Sequence, residues 1–387
     1  MKEVTFSISE ANNTLFAQFD EKNIELPALW LRERCQDEQH LDRVTKQRLF
    51  DPHQLPQDLS VNKIEPISKD KLAISFSDDY TGTYDLNEFH ADFDIWDGTP
   101  APKPWLSNID KTDFFVKYDD LKTEKGLLNA LEVFLAYGLI IVNDVPERTD
   151  AVLEVAEFFG NIRHTNFGKY FEVYTRPDSN DLAYRSVSLG PHTDNPYRDP
   201  MPGVQLLHCI QNETTGGLST LVDSLSVIEA LRKEDPYGVE LLSTIPVRYR
   251  HFDQDVDLIE RRTMIQLDSA KRVEGVAYSP RLDFLPLLEP EKLKIFQRAR
   301  QRLGQLFSDP RFEWRFKLEP GQLQMFHNTR VLHGRTSFDP TEGYRHLQGA
   351  YIDLDEPKGR YIALKKRARY KQVISRRKTC KKYSFAK

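Results

Sequence analysis

The sequence predicts a mostly β chain with flanking helices, arranged as a small β-rich amino-terminal domain over residues 1–98 and a larger domain over 108–387. Three observations carry that expectation. Short apolar runs bounded by turn residues recur along the chain, as strands do. Segments with a helical apolar period are few and fall between those runs. The stretch Gly98-Thr-Pro-Ala-Pro-Lys-Pro104 holds three prolines in five residues, a composition that resists both helix and central strand and reads as a linker.

In order along the chain, Val4 to Phe19 alternates polar and apolar residues with a break at Asn12-Asn13, and Leu72-Ala-Ile-Ser-Phe76 is another alternating run. Asp51-Pro-His53 and Ser77-Asp-Asp79 are turn clusters between such runs. Beyond the linker, Glu124 to Tyr137 places Leu127, Leu128, Leu131, Phe134 and Leu135 on one helical face. Gly138-Leu-Ile-Ile-Val142 is continuously apolar and reads as a buried strand, followed by an amphipathic helix over Thr149–Gly160. Pro202-Gly-Val-Gln-Leu-Leu-His-Cys-Ile210 and Leu323-Gln-Met-Phe326 read as two more buried strands, with a third helix over Glu289–Phe307 between them. There is no internal repeat.

Composition excludes several classes. With 387 residues the chain has ample apolar material for a core. No stretch approaches the roughly 20 apolar residues of a membrane helix. The opening Met1-Lys-Glu-Val-Thr-Phe-Ser-Ile8 reads as a strand, not a secretory leader. Cys35, Cys209 and Cys380 are too few and odd in number for a disulfide framework, so a reducing, cytoplasmic setting is expected. From Lys365 to Lys387 there are eleven Lys or Arg and no Asp or Glu. Such a block reads as a solvated, partly disordered extension. With a formal net charge of −5, the body of the chain gives no reason to expect a nucleic-acid partner.

Chemistry concentrates in two segments far apart in sequence. One is Gly190-Pro-His192-Thr-Asp194-Asn195-Pro-Tyr197, and the other is Asn328-Thr-Arg-Val-Leu-His333-Gly-Arg335 with Arg345 shortly after it. A lone His-x-Asp is a weak signal in a chain with ten His. Its weight comes from place. His192 and Asp194 sit among turn residues directly before one buried strand, and His333 lies across a short turn from another. Neighbouring strands of a small antiparallel barrel would bring these ligands together. Two His and one carboxylate leave three positions of a metal open, which suits a non-haem Fe(II) that must bind a co-substrate and O₂ together. Arg345 supplies a planar fork for the far carboxylate of a 2-oxo acid chelated at that metal. Neither nucleophile-triad chemistry nor a phosphate-cradling loop has support, since Gly216-Gly217 lacks the surrounding pattern.

These residues resemble the γ-butyrobetaine and trimethyllysine hydroxylases, members of the clavaminate-synthase-like group of Fe(II)/2-oxoglutarate dioxygenases. The resemblance runs through Leu26-Pro-Ala-Leu-Trp-Leu-Arg32, Asp181-Leu-Ala-Tyr184, the His-x-Asp, Pro202–Ile210, Gly216-Gly217 with Asp223, the distal His-Gly-Arg, and Arg345-His-Leu-Gln-Gly-Ala-Tyr351-Ile-Asp353. It implies a double-stranded β-helix (jelly-roll) catalytic domain. It implies His192, Asp194 and His333 as iron ligands, Arg345 on 2-oxoglutarate, O₂ as second co-substrate and ascorbate as reductant. The reaction expected is hydroxylation of a small trimethylammonium compound, with γ-butyrobetaine to L-carnitine first among candidates, and relatives form homodimers.

Matching by spacing from His192 and His333 puts Phe167, Phe171, Tyr184 and Tyr351 at the family's aromatic-cage positions. Aromatic faces hold a cation that cannot donate a strong hydrogen bond. The chain departs from the family at several points. Phe167 and Phe171 stand where family members with the betaine function tend to have Tyr and Trp, and Asn195 replaces an aromatic found in some relatives. For the substrate's anionic end the chain offers Ser279 and Arg281, which would suit a phosphonate as readily as a carboxylate, so 2-trimethylaminoethylphosphonate is the alternative substrate. Trimethyllysine is a further one. A betaine-binding module without catalysis is the non-enzyme alternative, and the intact ligand set argues against it. Relatives often carry a structural zinc in the amino-terminal domain. Here Cys35 is followed by Asp37 and His40, with Tyr80 at the later position, and no zinc is expected.

Overall fold

The computed structural model describes residues 4–9, 13–94, 96–174 and 186–383, with side chains described as far as Lys371. Contacts divide the chain into two compact units, Met1–Gly98 and Thr99–Lys387.

The first unit holds two antiparallel three-stranded sheets. One joins β1 (Thr5–Ser9), β2 (Thr14–Phe19) and β3 (Lys22–Glu25); the other joins β4 (Val61–Ser68), β5 (Lys71–Phe76) and β6 (Thr81–Asp85). Period-2 patterning decides which face is buried: Leu15 and Ala17 on β2, and Leu72, Ile74 and Phe76 on β5, point into a core that also takes Leu31, Tyr84 and Phe89.

In the second unit β7 (Phe115–Lys117) pairs in parallel with β8 (Leu139–Asn143). Between them lies the helix Glu124–Tyr137, whose Leu127, Ala130, Leu131 and Phe134 are buried. Thr123 caps its start by accepting from the Gly126 N–H, and Gly138 ends it at φ +74°, a left-handed conformation that only glycine adopts cheaply. The strand therefore begins at Leu139, one residue later than the apolar run suggests. After the helix Ala151–Phe159 come β9 (Phe171–Tyr174), β10 (Leu189–His192), β11 (Val204–Asn212) and β12 (Ser219–Asp223). Helices Ser224–Glu234 and Pro236–Thr244 lead into β13 (Val247–Phe252), β14 (Asp257–Arg262), β15 (Ile265–Leu267), β16 (Val273–Val276) and β17 (Asp283–Phe284). The helix Pro290–Phe307 precedes β18 (Glu313–Phe316), β19 (Leu323–His327), β20 (Val331–Arg335) and β21 (Arg345–Ile352).

Two sheets form the centre of this unit: a six-stranded one in the order β7-β8-β19-β11-β21-β9 and a four-stranded one in the order β10-β20-β12-β18. Leu139, Ile141, Leu207 and Phe326 from the first meet Leu221, Trp314 and Val331 from the second in one cluster, so the sheets pack face to face as a jelly roll. The outer face of the six-stranded sheet is covered by the helices Glu124–Tyr137 and Ala151–Phe159.

The basic tail corrects one expectation. Residues 365–383 continue a helix that starts at Asp355, where a solvated, partly disordered extension was expected. Arg367 and Lys371 reach Glu124, so near its start the like-charge block is tied to the first turn of the helix Glu124–Tyr137 by exposed ion pairs.

Candidate active site

His192 closes β10 and His333 lies in the middle of β20, and the two are directly opposite each other in the antiparallel ladder. Their rings stand 4.3 Å apart, centroid to centroid. Asp194 is two residues past the end of β10, and its Oδ1 lies 3.4 Å from His192 Nε2 and 3.7 Å from His333 Nε2. Strand pairing, not sequence proximity, thus assembles the set, and His333 sits mid-strand where a strand end was expected.

Each ligand is held by something behind it. His192 Nδ1 lies 2.9 Å from the Gly190 carbonyl, to which it donates, and this turns Nε2 toward Asp194. Burial pushes His333 down to about 3, with His192 beside it acting in the same sense, so its imidazole is neutral at ordinary pH. Burial would raise Asp194, but the imidazoles of His333 and His192 and the hydroxyl of Tyr351 outweigh it and hold the carboxyl well below the usual range. The backbone of Asp194 is clamped by the buried amide of Asn328. That amide accepts from the Asp194 N–H (2.8 Å) and donates to the Asp194 and Pro202 carbonyls (3.0 and 2.9 Å).

Thr193, between the two ligands, points the other way. Its N–H and hydroxyl donate to the Tyr278 carbonyl, and its hydroxyl accepts from the Tyr278 N–H. This ties the segment carrying Ser279 and Arg281 to the His-x-Asp turn. Ser279 is buried and its Oγ has no hydrogen-bond partner among the described residues. Arg281 does not pair with Asp283, because Asp283 is taken by Arg300 at 2.6 Å. Its charge is instead felt by His333 and Arg335.

Arg345 opens β21 and is buried, and its Nε has no partner among the described residues. Burial lowers it to about 10. A guanidinium in that state calls for an anion. Gly217, at φ +66°, brings its backbone close, since a Cβ there would stand 3.2 Å from Arg345 Nε.

The aromatic positions form a row. Tyr351 stacks on Phe171 (5.2 Å, 29°), Phe171 meets Phe167 (6.5 Å) and Phe167 meets His251 (6.0 Å). His251 in turn stacks on Tyr197 (4.8 Å, 17°). Phe167 is partly exposed at the row's outer side. Gly349 permits the arrangement, because a Cβ there would stand 2.2 Å from the Phe171 ring. Tyr184 lies outside the described residues. Asn195, at φ +53°, accepts from the Tyr197 hydroxyl at 2.6 Å.

Sequence reasoning missed His251, Tyr197, Thr193 and the Asn328 clamp. His251 comes from the β13–β14 hairpin and carries no motif. Asn328 stood inside the distal motif, where a buried amide opening a ligand-bearing turn was the available signal.

Residues 106–351 match the family model "Taurine catabolism dioxygenase TauD, TfdA family". The chain belongs to this dioxygenase family. Residues 6–90 match the "Gamma-butyrobetaine hydroxylase-like, N-terminal" model. The chain is 32% identical over 348 residues to a γ-butyrobetaine dioxygenase of Pseudomonas sp. (strain AK-1), covering 87% of this chain and 90% of that one. It is 27% identical to the γ-butyrobetaine dioxygenase of Pongo abelii, covering 90% and 93%. It is 28% identical to the mitochondrial trimethyllysine dioxygenase of Homo sapiens, covering 58% and 55%.

Membership of the TauD/TfdA family makes the chain an Fe(II)/2-oxoglutarate dioxygenase, and its residues fit both groups. Two imidazoles and one carboxylate are the donor set for Fe(II) with open positions. The orphaned Arg345 Nε fits the far carboxylate of 2-oxoglutarate. No helix among the described residues is long and apolar enough to cross a membrane.

Proposed function

We propose that the protein hydroxylates a small trimethylammonium compound, with γ-butyrobetaine, giving L-carnitine, as the first candidate. The observation that carries this reading is the aromatic row that begins at Tyr351, beside Asp194, and runs outward through Phe171 and Phe167. Each ring face is worth about 0.5–2 kcal/mol to a quaternary ammonium. Tyr184 belongs to the same cage in this reading. Bound Fe(II), with 2-oxoglutarate and O₂, supplies the oxidising power that breaks an unactivated C–H bond, and ascorbate keeps the iron reduced.

The chain's own residues aim and shelter that chemistry. His192, Asp194 and His333 hold the metal. Arg345 seats the far carboxylate of 2-oxoglutarate. Asn195, fixed by Tyr197, shapes the turn beside Asp194. Phe171 and Tyr351 shield the site from water and orient the substrate's cationic end. Ser279 and Arg281 receive its anionic end, since one offers a buried hydroxyl without a partner among the described residues and the other a positive charge that acts on His333.

That anion site favours a second reading. A serine hydroxyl with a guanidinium suits a phosphonate as well as a carboxylate, so 2-trimethylaminoethylphosphonate is the alternative substrate. We also assign to this reading a cytoplasmic homodimer and an amino-terminal unit without zinc. The test is oxygen consumption with Fe(II), 2-oxoglutarate and ascorbate, offering γ-butyrobetaine, trimethyllysine and the phosphonate side by side. Uptake coupled to succinate with the first supports the reading. Uptake with the phosphonate alone moves it to the alternative. No uptake with any of them, while 2-oxoglutarate still binds, removes the cation site.

A further inference from the structure

Tyr351 touches the metal site through an atom that cation recognition does not use. Its ring face lies against Phe171, while its hydroxyl donates to Asp194 Oδ2 at 2.6 Å. The other carboxylate oxygen, Oδ1, is the one that faces both imidazoles. We propose that Tyr351 is a positioning residue that keeps Asp194 a one-oxygen ligand, so that three metal positions stay open for 2-oxoglutarate and O₂.

The argument begins with what a free carboxylate can do. Asp and Glu bind metal ions through one oxygen or through both. With two His already in place, a two-oxygen Asp194 would fill a position that the co-substrates need. Asn328 fixes the Asp194 N–H and C=O, so the freedom that remains is rotation of the short side chain. Rotation that would turn Oδ2 toward the imidazoles must break the bond to Tyr351.

The hydroxyl is delivered by a rigid element. Tyr351 lies on β21 opposite Gln205 of β11 in the six-stranded sheet. Its ring is held by Phe171, which reaches it only because Gly349 lacks a side chain. A donor carried on a packed strand holds its partner more closely than one on a loop. An outer partner of a ligating carboxylate tunes the metal as well as orienting the ligand.

This inference rests on the iron site and is independent of the substrate's identity. Tyr351→Phe removes one oxygen and keeps the ring, so γ-butyrobetaine binding to the variant reads the cation proposal separately. With Mn(II) in place of iron and no co-substrate, water-proton relaxation counts the exchangeable waters on the ion. The expected result is one water fewer in the variant than in the parent. Mn(II) alone should bind no more weakly, the thermal midpoint should stay close to the parent's, and 2-oxoglutarate should bind the Mn(II) form about tenfold more weakly. An unchanged water count with unchanged 2-oxoglutarate affinity would overturn the proposal. Weaker Mn(II) binding at an unchanged water count would overturn it too, because the hydroxyl would then be setting ligand strength rather than ligand number.

Discussion

Cys35, Asp37 and His40 in the amino-terminal unit and His192, Asp194 and His333 in the carboxy-terminal one each bring their donor atoms within 4.8 Å of one another. Their surroundings differ. Around the first set the protein has placed its own cation: the Arg32 guanidinium lies 3.8 Å from the Tyr80 ring centroid and 3.7 Å from Cys35 Sγ, and it pairs with Asp78 at 2.8 Å. The oxygens of Asp37 are taken by the Tyr80 hydroxyl and by His40 Nδ1. Burial raises the Cys35 thiol, which opposes formation of the thiolate a metal would need. Around the second set no Lys or Arg among the described residues pairs with Asp194, burial keeps the His333 imidazole neutral, and the Gly190 carbonyl turns the His192 ring. Proximity of donors is therefore a poor criterion by itself. What separates the two clusters is whether the lone pairs are already in use.

The largest expected effects come from emptying the open cluster. His333→Ala should abolish turnover and weaken iron binding by more than the roughly 10–100-fold typical of losing an outer partner of a ligand. Appreciable remaining activity would take His333 off the metal. Arg345→Ala should raise the 2-oxoglutarate requirement about a hundredfold, the usual cost of removing one partner of a buried charge pair, with Arg345→Lys recovering only part of it. An unchanged requirement would refute the carboxylate role.

The filled cluster should behave differently. Protein purified without chelator is expected to carry iron but no stoichiometric zinc, and one tightly held zinc per chain would show that Arg32 does not close the site. Arg32→Met leaves the half-buried Asp78 without its partner and should cost about 3 kcal/mol of stability in the amino-terminal unit, read by denaturant unfolding. A loss below about 1 kcal/mol would mean that the pair is screened like a surface one.

The same contrast explains what the sequence could tell. The candidate iron ligands were legible because their chemistry needs particular residue types next to buried strands, and the strands announced themselves by apolar runs such as Leu139–Val142 and Leu323–Phe326. The partners of those ligands were not, because they are defined by geometry across the fold. Thr193 looks like any turn residue until its hydroxyl is seen on the Tyr278 backbone. His251 reaches the aromatic row only because the β13–β14 hairpin folds toward it. Tyr351 was legible as a ring, and its hydroxyl acquires meaning only when β21 places it against Asp194. The basic tail was misread because charge counts describe solvation, while the helix from Asp355 is anchored by its neighbour at Glu124.

The last expected effect is confined to acid pH and tests histidines of the same jelly roll that lie outside both candidate metal clusters. His208 on β11 is fully buried, facing away from the site, with Leu323 and Gln348 beside it across the ladder. Burial pushes it down to about 4, and His346 and Arg148 act in the same direction. His327 is likewise held at about 3, chiefly by burial. In the unfolded chain both would titrate near 6.5. The unfolded state therefore binds more protons below that pH, and the stability present above it is lost as pH falls toward the folded values. For His208 the loss between pH 6.5 and 4 is on the order of 3 kcal/mol. Denaturant midpoints of the parent should fall across this window, and His208→Gln should flatten the slope by about one proton's worth. A variant that tracks the parent at every pH would mean that His208 finds a proton acceptor in the folded state, and the contrast between a buried idle imidazole and a buried ligand would lose its physical basis.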